Sequence, residues 1–139
     1  MPDALVLPDS AAARPEALPP AFACSWTDRG RDAAWVHLVG ELDLAAAPQL
    51  ERTLGQPQLQ AQLVVLDLRE LAFIDSSGVH AIVNATTRAR EQGRRLMLLR
   101  GPQNVDRVFT LTGSFDDVEI GDVGLLEAPV EALREEGLA

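Results

Sequence analysis

The sequence predicts a single α/β domain with a mixed sheet of four to five strands, and two observations lead to this fold class. The first is a pair of nearly continuous apolar segments, 63–68 and 96–99. Strands that are buried on both faces lose the usual polar–apolar alternation, so these segments indicate a sheet flanked by helices. The second is the alternation of such segments with helical patterns after an N-terminal hairpin, which is typical of α/β folds.

The chain divides into an N-terminal arm, residues 1–21, and one domain, residues 22–139. Five of the nine prolines lie in the arm, and proline removes backbone donors from helices and sheets. We therefore expect the arm to be irregular and mobile. Pairing of Leu5–Leu7 as an edge strand is the alternative.

The hairpin is predicted to consist of strands at 21–26 and 34–39. The first strand alternates loosely between polar and apolar residues, and the intervening segment 27–32 is rich in turn-forming residues. Gly40 is expected to end the second strand.

The first helix is predicted from the spacing of apolar residues that begins at Leu44. Pro48 is tolerable only in its first turn, where the missing N–H would have no partner anyway. The segment Gly55-Gln56-Pro57 is expected to stop the helix after Leu54. Its predicted buried residues are Leu44, Ala47, Leu50 and Leu54.

The rest of the chain alternates between the two kinds of element: strand 63–68, helix from Gly78 to about Gln92, strand 95–99, helix 104–111, strand 118–120 and helix 129–136. Gly93 and Gly113 are placed to cap the two inner helices. The residues that recur at helical spacing and share one face of the longer helix are Val79, Ile82, Val83, Thr86 and Arg90. The predicted inward residues of the shorter helix are Val105, Val108, Phe109 and Leu111.

The composition excludes several classes of function. A net charge of −9, from 21 acidic and 12 basic residues, argues against direct nucleic-acid binding, which needs a basic footprint. Cys24 is the single cysteine, so the chain can form no internal disulfide. The sequence contains no run of about 18 apolar residues, so no membrane span is expected. The N terminus lacks the basic segment of a secretory signal. We expect a protein of the cytoplasm.

Enzymatic and metal-binding functions find little support in the sequence. The glycine-rich nucleotide-binding loops and the elbow motif of serine hydrolases are absent. A catalytic triad would pair Ser76 with His37 or His80, but His80 lies only one helical turn beyond Ser76. The two histidines, the cysteine and the acids show no spacing typical of metal ligands. We therefore expect no catalytic residue, no metal and no cofactor.

The segment Phe73–Val79 is the strongest functional candidate, because Ser76 and Ser77 lie where an apolar strand passes into a helix. Free N–H groups and the positive end of the helix dipole at such a junction favour a capping side chain or an anion. One serine is therefore expected to cap the helix, which contributes about 1 kcal/mol. A phosphate on a serine here would be tolerated by the fold, but it would change the surface that a partner meets.

Three blocks of sequence, Val39–Asp43, Leu66–Gly78 and Val105–Gly113, follow one another along the chain. These blocks, and the order in which they occur, resemble the STAS family of sulphate-transporter and anti-sigma-factor-antagonist domains. The first is Val39–Asp43, which is similar to the family's G-E-L-D block. The second runs from Leu66 to Gly78 and ends in Asp75-Ser76-Ser77-Gly78, which matches the family's D-[ST]-[ST]-G hallmark. The third, Val105–Gly113, resembles the family's helix with a hydrophobic-x-x-[ST]-G ending. Together the blocks cover about residues 33–120.

The resemblance implies a STAS-like single domain with helices packed mainly on one face of the sheet. It also implies an anti-sigma factor antagonist. The unphosphorylated form would bind an anti-sigma factor that is itself a serine kinase and so release the sigma factor; phosphorylation would abolish this binding, and a serine phosphatase would restore it. By position Ser76 is the phosphoacceptor, which leaves Ser77 as the structural cap. The implied partner-binding residues are Gly40, Glu41, Asp43, Asp75, Ser77, Gly78 and His80.

Some features depart from the family pattern. The N-terminal arm is an extension, His80 stands where a small or apolar residue is common, and Ser114 follows Gly113 where leucine is usual. We expect a monomer or a weak dimer. The alternative function is that of a STAS subunit in a membrane transport complex or of a stressosome-like scaffold, since one fold supports several functions.

Overall fold

The computed structural model describes residues 21–30 and 32–121, and the order of its elements confirms the predicted α/β class. The elements are β1 (Phe22–Gly30), β2 (Ala33–Leu42), α1 (Ala47–Gln60), β3 (Leu63–Ile74), α2 (Ser76–Glu91), β4 (Arg95–Leu99), α3 (Gln103–Leu111), a 3₁₀ turn (Ser114–Asp117) and β5 (Glu119–Gly121). The predicted helix at 129–136 and all of the predicted arm except Ala21 lie outside the described residues.

The five strands lie side by side in sequence order, β1-β2-β3-β4-β5. β1 and β2 form the predicted antiparallel hairpin, and the other neighbouring pairs are parallel. In the parallel pair of β2 and β3, Leu42 lies opposite Ile74 at the end of both strands. The β2–α1 and β3–α2 connections therefore leave the sheet at the same edge.

The described helices pack on one face of the sheet, as predicted. The main core contains alternate strand residues such as Val36, Leu66 and Leu98 together with residues of all three helices. The smaller buried cluster on the other face consists of strand residues alone: Ala33, Leu63, Val65, Met97 and Leu99. Full burial of an aliphatic or aromatic side chain contributes about 1.5–3 kcal/mol, so the main core dominates the stability of the fold.

Helix α1 runs six residues beyond its predicted end. The prediction that Gly55-Gln56-Pro57 stops the helix is wrong, because Pro57 is buried in the same row as Leu50 and Leu54. The last turn is also tied to its surroundings, since the Gln58 side chain donates to the carbonyl of Ala85 at 3.1 Å. Tertiary packing thus offsets the backbone hydrogen bond that proline removes.

Helix α2 is rotated relative to the prediction. Of the residues that share the predicted face, Val79, Ile82 and Thr86 are buried and Arg90 is exposed. The buried face is centred closer to three small residues that were not singled out from the sequence: Ala81, Ala85 and Ala89. Alanine lets a helix approach the sheet more closely than arginine or valine would, so the small side chains determine which face is buried.

The remaining differences concern the ends of elements. β1 continues through the predicted turn to Gly30, and β2 continues past Gly40 to Leu42. Leu111 is 77% exposed instead of inward, because it lies at the last position of α3, next to the turn that Thr112 begins. Gly93 and Gly113 follow the C-cap residues of their helices, as predicted.

Candidate functional site

The β3–α2 junction presents one serine at the surface and uses an aspartate as its cap. Asp75 is the N-cap residue of α2, and its carboxylate oxygen accepts the backbone N–H of Gly78 at 3.0 Å. The prediction that Ser77 caps the helix is therefore wrong. Ser76 is the first residue of α2 and is exposed, whereas Ser77 is half-buried. The aspartate prevails because it is the residue with extended backbone geometry that directly precedes the helix.

The junction is fixed to the end of β2 through one carbonyl group. The backbone N–H of Asp75 donates to the carbonyl oxygen of Leu42 at 3.2 Å. Gly78 is buried against the same carbonyl, since a Cβ atom on Gly78 would lie 2.5 Å from that oxygen. The absence of a side chain at Gly78 is thus what allows the first turn of α2 to pack against β2.

The connection from β2 to α1 is a turn held by Asp43. Its carboxylate accepts the N–H of Ala46 at 3.0 Å, and its carbonyl accepts the N–H of Ala47 at 2.9 Å. Glu41, two residues before Asp43, is exposed. Asp43 therefore has a structural role in addition to the partner-binding role predicted for it.

The absence of a side chain at Gly40 lets the start of β1 pack closely against the end of β2. It has a φ of +100°, and a Cβ atom there would lie 2.2 Å from the carbonyl oxygen of Ala21. The same oxygen accepts the N–H of Glu41 at 2.7 Å. Gly40 is half-buried, so its predicted contribution to docking is to shape the backbone beside the exposed Glu41.

The two connections enclose a surface groove of about 540 Å³ between α1 and α2. We call it the junction groove, and it is lined by Leu44, Ala47, Pro48, Glu51, Ser76, Ser77, His80 and Ala81. The predicted phosphoacceptor, Ser76, thus shares one groove with two of the predicted partner-binding residues, Ser77 and His80. Gly40, Glu41 and Asp43 do not line it; they belong to the strand end and turn beside it.

Sequence reasoning missed the α1 side of the groove. Leu44 was predicted to be buried but is 72% exposed, which is an error of register. Because Pro48 lies in the first turn of α1, the helix starts at Ala47 and Leu44 falls in the preceding turn. The position of Pro48 is the signal that could have identified Leu44 as a surface residue.

Apolar and acidic side chains surround Ser76. Leu44 and Phe73, which is 45% exposed, are large hydrophobic residues near the two strand ends. Glu51 lines the groove and Asp75 directly precedes Ser76. A site with exposed apolar groups and negative charge is suited to contact another protein.

His37, one of the two histidines considered for a triad with Ser76, lies beside acidic residues of β3 and does not line the junction groove. His37 Nδ1 lies 3.3 Å from Asp67 Oδ2, and its Nε2 lies 3.3 Å from Glu70 Oε1. Burial raises the pKa of the Cys24 thiol, despite an opposing hydrogen bond with Thr53, so this thiol is a poor nucleophile. Within residues 21–30 and 32–121, no three possible metal-binding side chains come together.

Asp67 is a buried charge at the centre of its own small network. Its carboxylate accepts hydrogen bonds from the backbone N–H of Arg69 at 3.0 Å and from the guanidinium at 3.1 Å. Burial by itself raises the pKa of Asp67, but the hydrogen bonds and charge of Arg69, together with His37, lower it below its usual range. The contact between His37 and Asp67 links β2 to β3. None of the residues in this network lines the junction groove.

The family model described as the STAS domain matches residues 27–124. The chain belongs to the STAS domain family. This membership accounts for the Asp75-Ser76-Ser77-Gly78 junction and for the helices on one face of the sheet, both of which the family resemblance of the sequence implied.

Individual relatives of this STAS protein are regulators by name. This STAS protein is 30% identical over 97 residues to an anti-sigma-B factor antagonist of Listeria monocytogenes. The match covers 69% of this chain and 85% of the relative. The chain is 28% identical over 85 residues to the Bacillus subtilis protein of the same name, covering 61% and 78%. The unphosphorylated form of the anti-sigma factor antagonist SpoIIAA has the same fold, with a TM-score of 0.66, 21% identity and coverage of 81% and 97%.

Proposed function

We propose that this STAS protein is an anti-sigma factor antagonist controlled by phosphorylation of Ser76. Its unphosphorylated form binds an anti-sigma factor that is also a serine kinase, and the sigma factor is released. A serine phosphatase restores the phosphorylated protein to the binding form. The exposed hydroxyl of Ser76 at the start of α2, on the rim of a groove with apolar and acidic walls, carries this proposal.

Exposure distinguishes the two serines as phosphate acceptors. A kinase must bring the γ-phosphate of ATP into line with the attacking hydroxyl, which requires access to the side chain. Ser76 is exposed, whereas Ser77 is half-buried. The geometry therefore supports Ser76 as the acceptor.

A phosphate on Ser76 is expected to change binding much more than folding. It adds a charge of about −1.5 to −2 at a helix N-terminus, where the dipole stabilises an anion by about 0.3–1 kcal/mol. A partner that covers the site must instead desolvate this charge beside Glu51 and Asp75. A buried charge without a partner costs several kcal/mol, and each 1.4 kcal/mol changes affinity about tenfold.

The shape of the site indicates how the anti-sigma factor would dock. Leu44 offers an exposed apolar side chain beside the groove, and Glu41 and Glu51 offer negative charge around it. A complementary partner surface would place an apolar pocket over Leu44 and basic groups opposite the carboxylates.

Of the helices in the described part of the chain, none is long and apolar enough to span a membrane.

The proposal is tested by mapping the phosphate after incubation with a cognate kinase and ATP. We expect one phosphate on the fragment containing Ser76, retained in Ser77→Ala and absent from Ser76→Ala. Both variants keep the Asp75 cap, so both are expected to fold. Kinase-dependent labelling that persists in Ser76→Ala would contradict the assignment.

A further inference from the structure

We propose that His80 pairs with the phosphate on Ser76 and sets the charge that the phosphorylated groove presents to a partner. This inference rests on the assignment of Ser76 as the acceptor.

Helix geometry places the two side chains on the same face of α2. Ser76 and His80 are separated by four positions, so their Cβ atoms are about 5–6 Å apart. Side chains on a helix lean toward its N-terminus, which directs the imidazole of His80 back over the first turn, toward Ser76. Both residues are exposed and both line the junction groove.

The first turn of α2 offers a phosphate fewer free backbone N–H donors than an uncapped helix end would. The N–H of Gly78 is already bonded to the Asp75 carboxylate at 3.0 Å. That carboxylate also repels a second anion on the neighbouring residue. A phosphate on Ser76 is therefore better served by a cationic side chain than by the backbone alone.

Charge in the groove identifies His80 as that side chain. Among the eight residues of this described groove, His80 alone can carry a positive charge. The charged groups that line the groove with His80 are Glu51 from α1 and, once formed, the phosphate on Ser76; the β2–α1 turn contributes the uncharged Leu44 to the lining. Because the phosphate carries more charge than Glu51 and lies on the same helix as His80, it attracts the imidazolium more strongly than the carboxylate does.

The protonated imidazole is the form of His80 that attracts the phosphate. With His80 protonated, part of the phosphate charge is neutralised within the protein. With His80 neutral, the full charge faces the partner. His80 thus determines how strongly phosphorylation alters the groove at a given pH.

The test uses protein with phosphoserine incorporated at position 76 during translation, so that it needs no kinase and its outcome is independent of whether Ser76 is the natural acceptor. The second pKa of the phosphate, ordinarily about 6, is measured by ³¹P NMR titration. We expect it to be lower in the wild-type protein than in His80→Asn by about 0.5, the size expected for an exposed ion pair. Removal of the competing carboxylate in Glu51→Gln should lower it further.

His37→Asn is the matched control, because it removes the same titrating group outside the groove. We expect the phosphate pKa in this variant to equal the wild-type value. Equal values in wild-type protein and His80→Asn would overturn the inference. A shift in His37→Asn as large as that in His80→Asn would overturn it as well, since the phosphate would then respond to net charge and not to His80.

Discussion

Gly78 and Leu42 are in such close contact that a Cβ atom on Gly78 would lie 2.5 Å from the carbonyl oxygen of Leu42. This contact joins the helix that carries Ser76 to the strand that leads to Asp43. The proposed partner-facing surface consists of two connections, and the Gly78–Leu42 contact fixes their relative position.

Gly78→Ala is therefore expected to destabilise the protein by about 1–3 kcal/mol, the usual cost of overpacking. The obstacle is a backbone carbonyl, which cannot move without displacing β2. Gly55→Ala is the matched control: Gly55 lies within α1 with open space around it, so alanine should stabilise by about 0.5–1 kcal/mol. Urea unfolding measures both, and equal effects of the two substitutions would contradict the role of the contact.

The capping arrangement predicts unequal effects of substitutions at neighbouring residues. Asp75→Ala removes the acceptor of the Gly78 N–H and should cost about 0.5–2 kcal/mol, whereas Asp75→Asn should cost little because asparagine caps equally well. Ser77→Ala should also leave stability within about 0.5 kcal/mol of wild type. Thermal unfolding of the three variants tests this order. A larger loss in Ser77→Ala than in Asp75→Ala would restore the serine as the cap.

Leu44 is expected to contribute to binding without contributing to stability. Leu44→Ala should weaken binding of the anti-sigma factor about tenfold, as loss of an apolar contact of about 1.4 kcal/mol would. Leu59→Ala is the control, since Leu59 is 69% exposed in the last turns of the same helix and does not line the groove. Calorimetric titration compares the two variants. Equal affinities would remove Leu44 from the docking surface.

Asp67 gives the fold a defined acid sensitivity. Its pKa is lower in the folded protein than in the unfolded chain, because the hydrogen bonds and charge of Arg69 outweigh the effect of burial. Its contribution is therefore complete above the unfolded pKa, about 3.9, and is lost as pH falls through the folded pKa. Asp67→Asn should cost about 1–3 kcal/mol at pH 7, and the difference from wild type should narrow below about pH 4. A difference that is constant from pH 7 to pH 3 would contradict this.

The sequence predicted those features that depend on local pattern. The apolar run at 63–68 and the helical spacing from Val79 onward are strong signals, because burial on both faces or on one stripe leaves few alternatives. The position of the helices on one face of the sheet came from the resemblance to STAS domains, and it agrees with the structure. The order of the strands within the sheet was not predicted.

The errors arose where two local signals competed or where tertiary packing decided. Asp75, Ser76 and Ser77 are all good capping residues, and the helix start selects among them. Pro57 indicated a helix end, but its ring packs into the core and the helix continues. Leu44 has the spacing of a buried residue but precedes the helix. The groove, which joins residues distant in sequence, has no local signature at all.

Phosphate on Ser76 is proposed to control binding of the anti-sigma factor. The most direct measurement is the dissociation constant of the anti-sigma factor for unphosphorylated and Ser76-phosphorylated protein, determined by calorimetry in the same buffer. We expect phosphorylation to weaken binding by about 100-fold, which corresponds to about 2.7 kcal/mol. Equal dissociation constants for the two forms would contradict the claim.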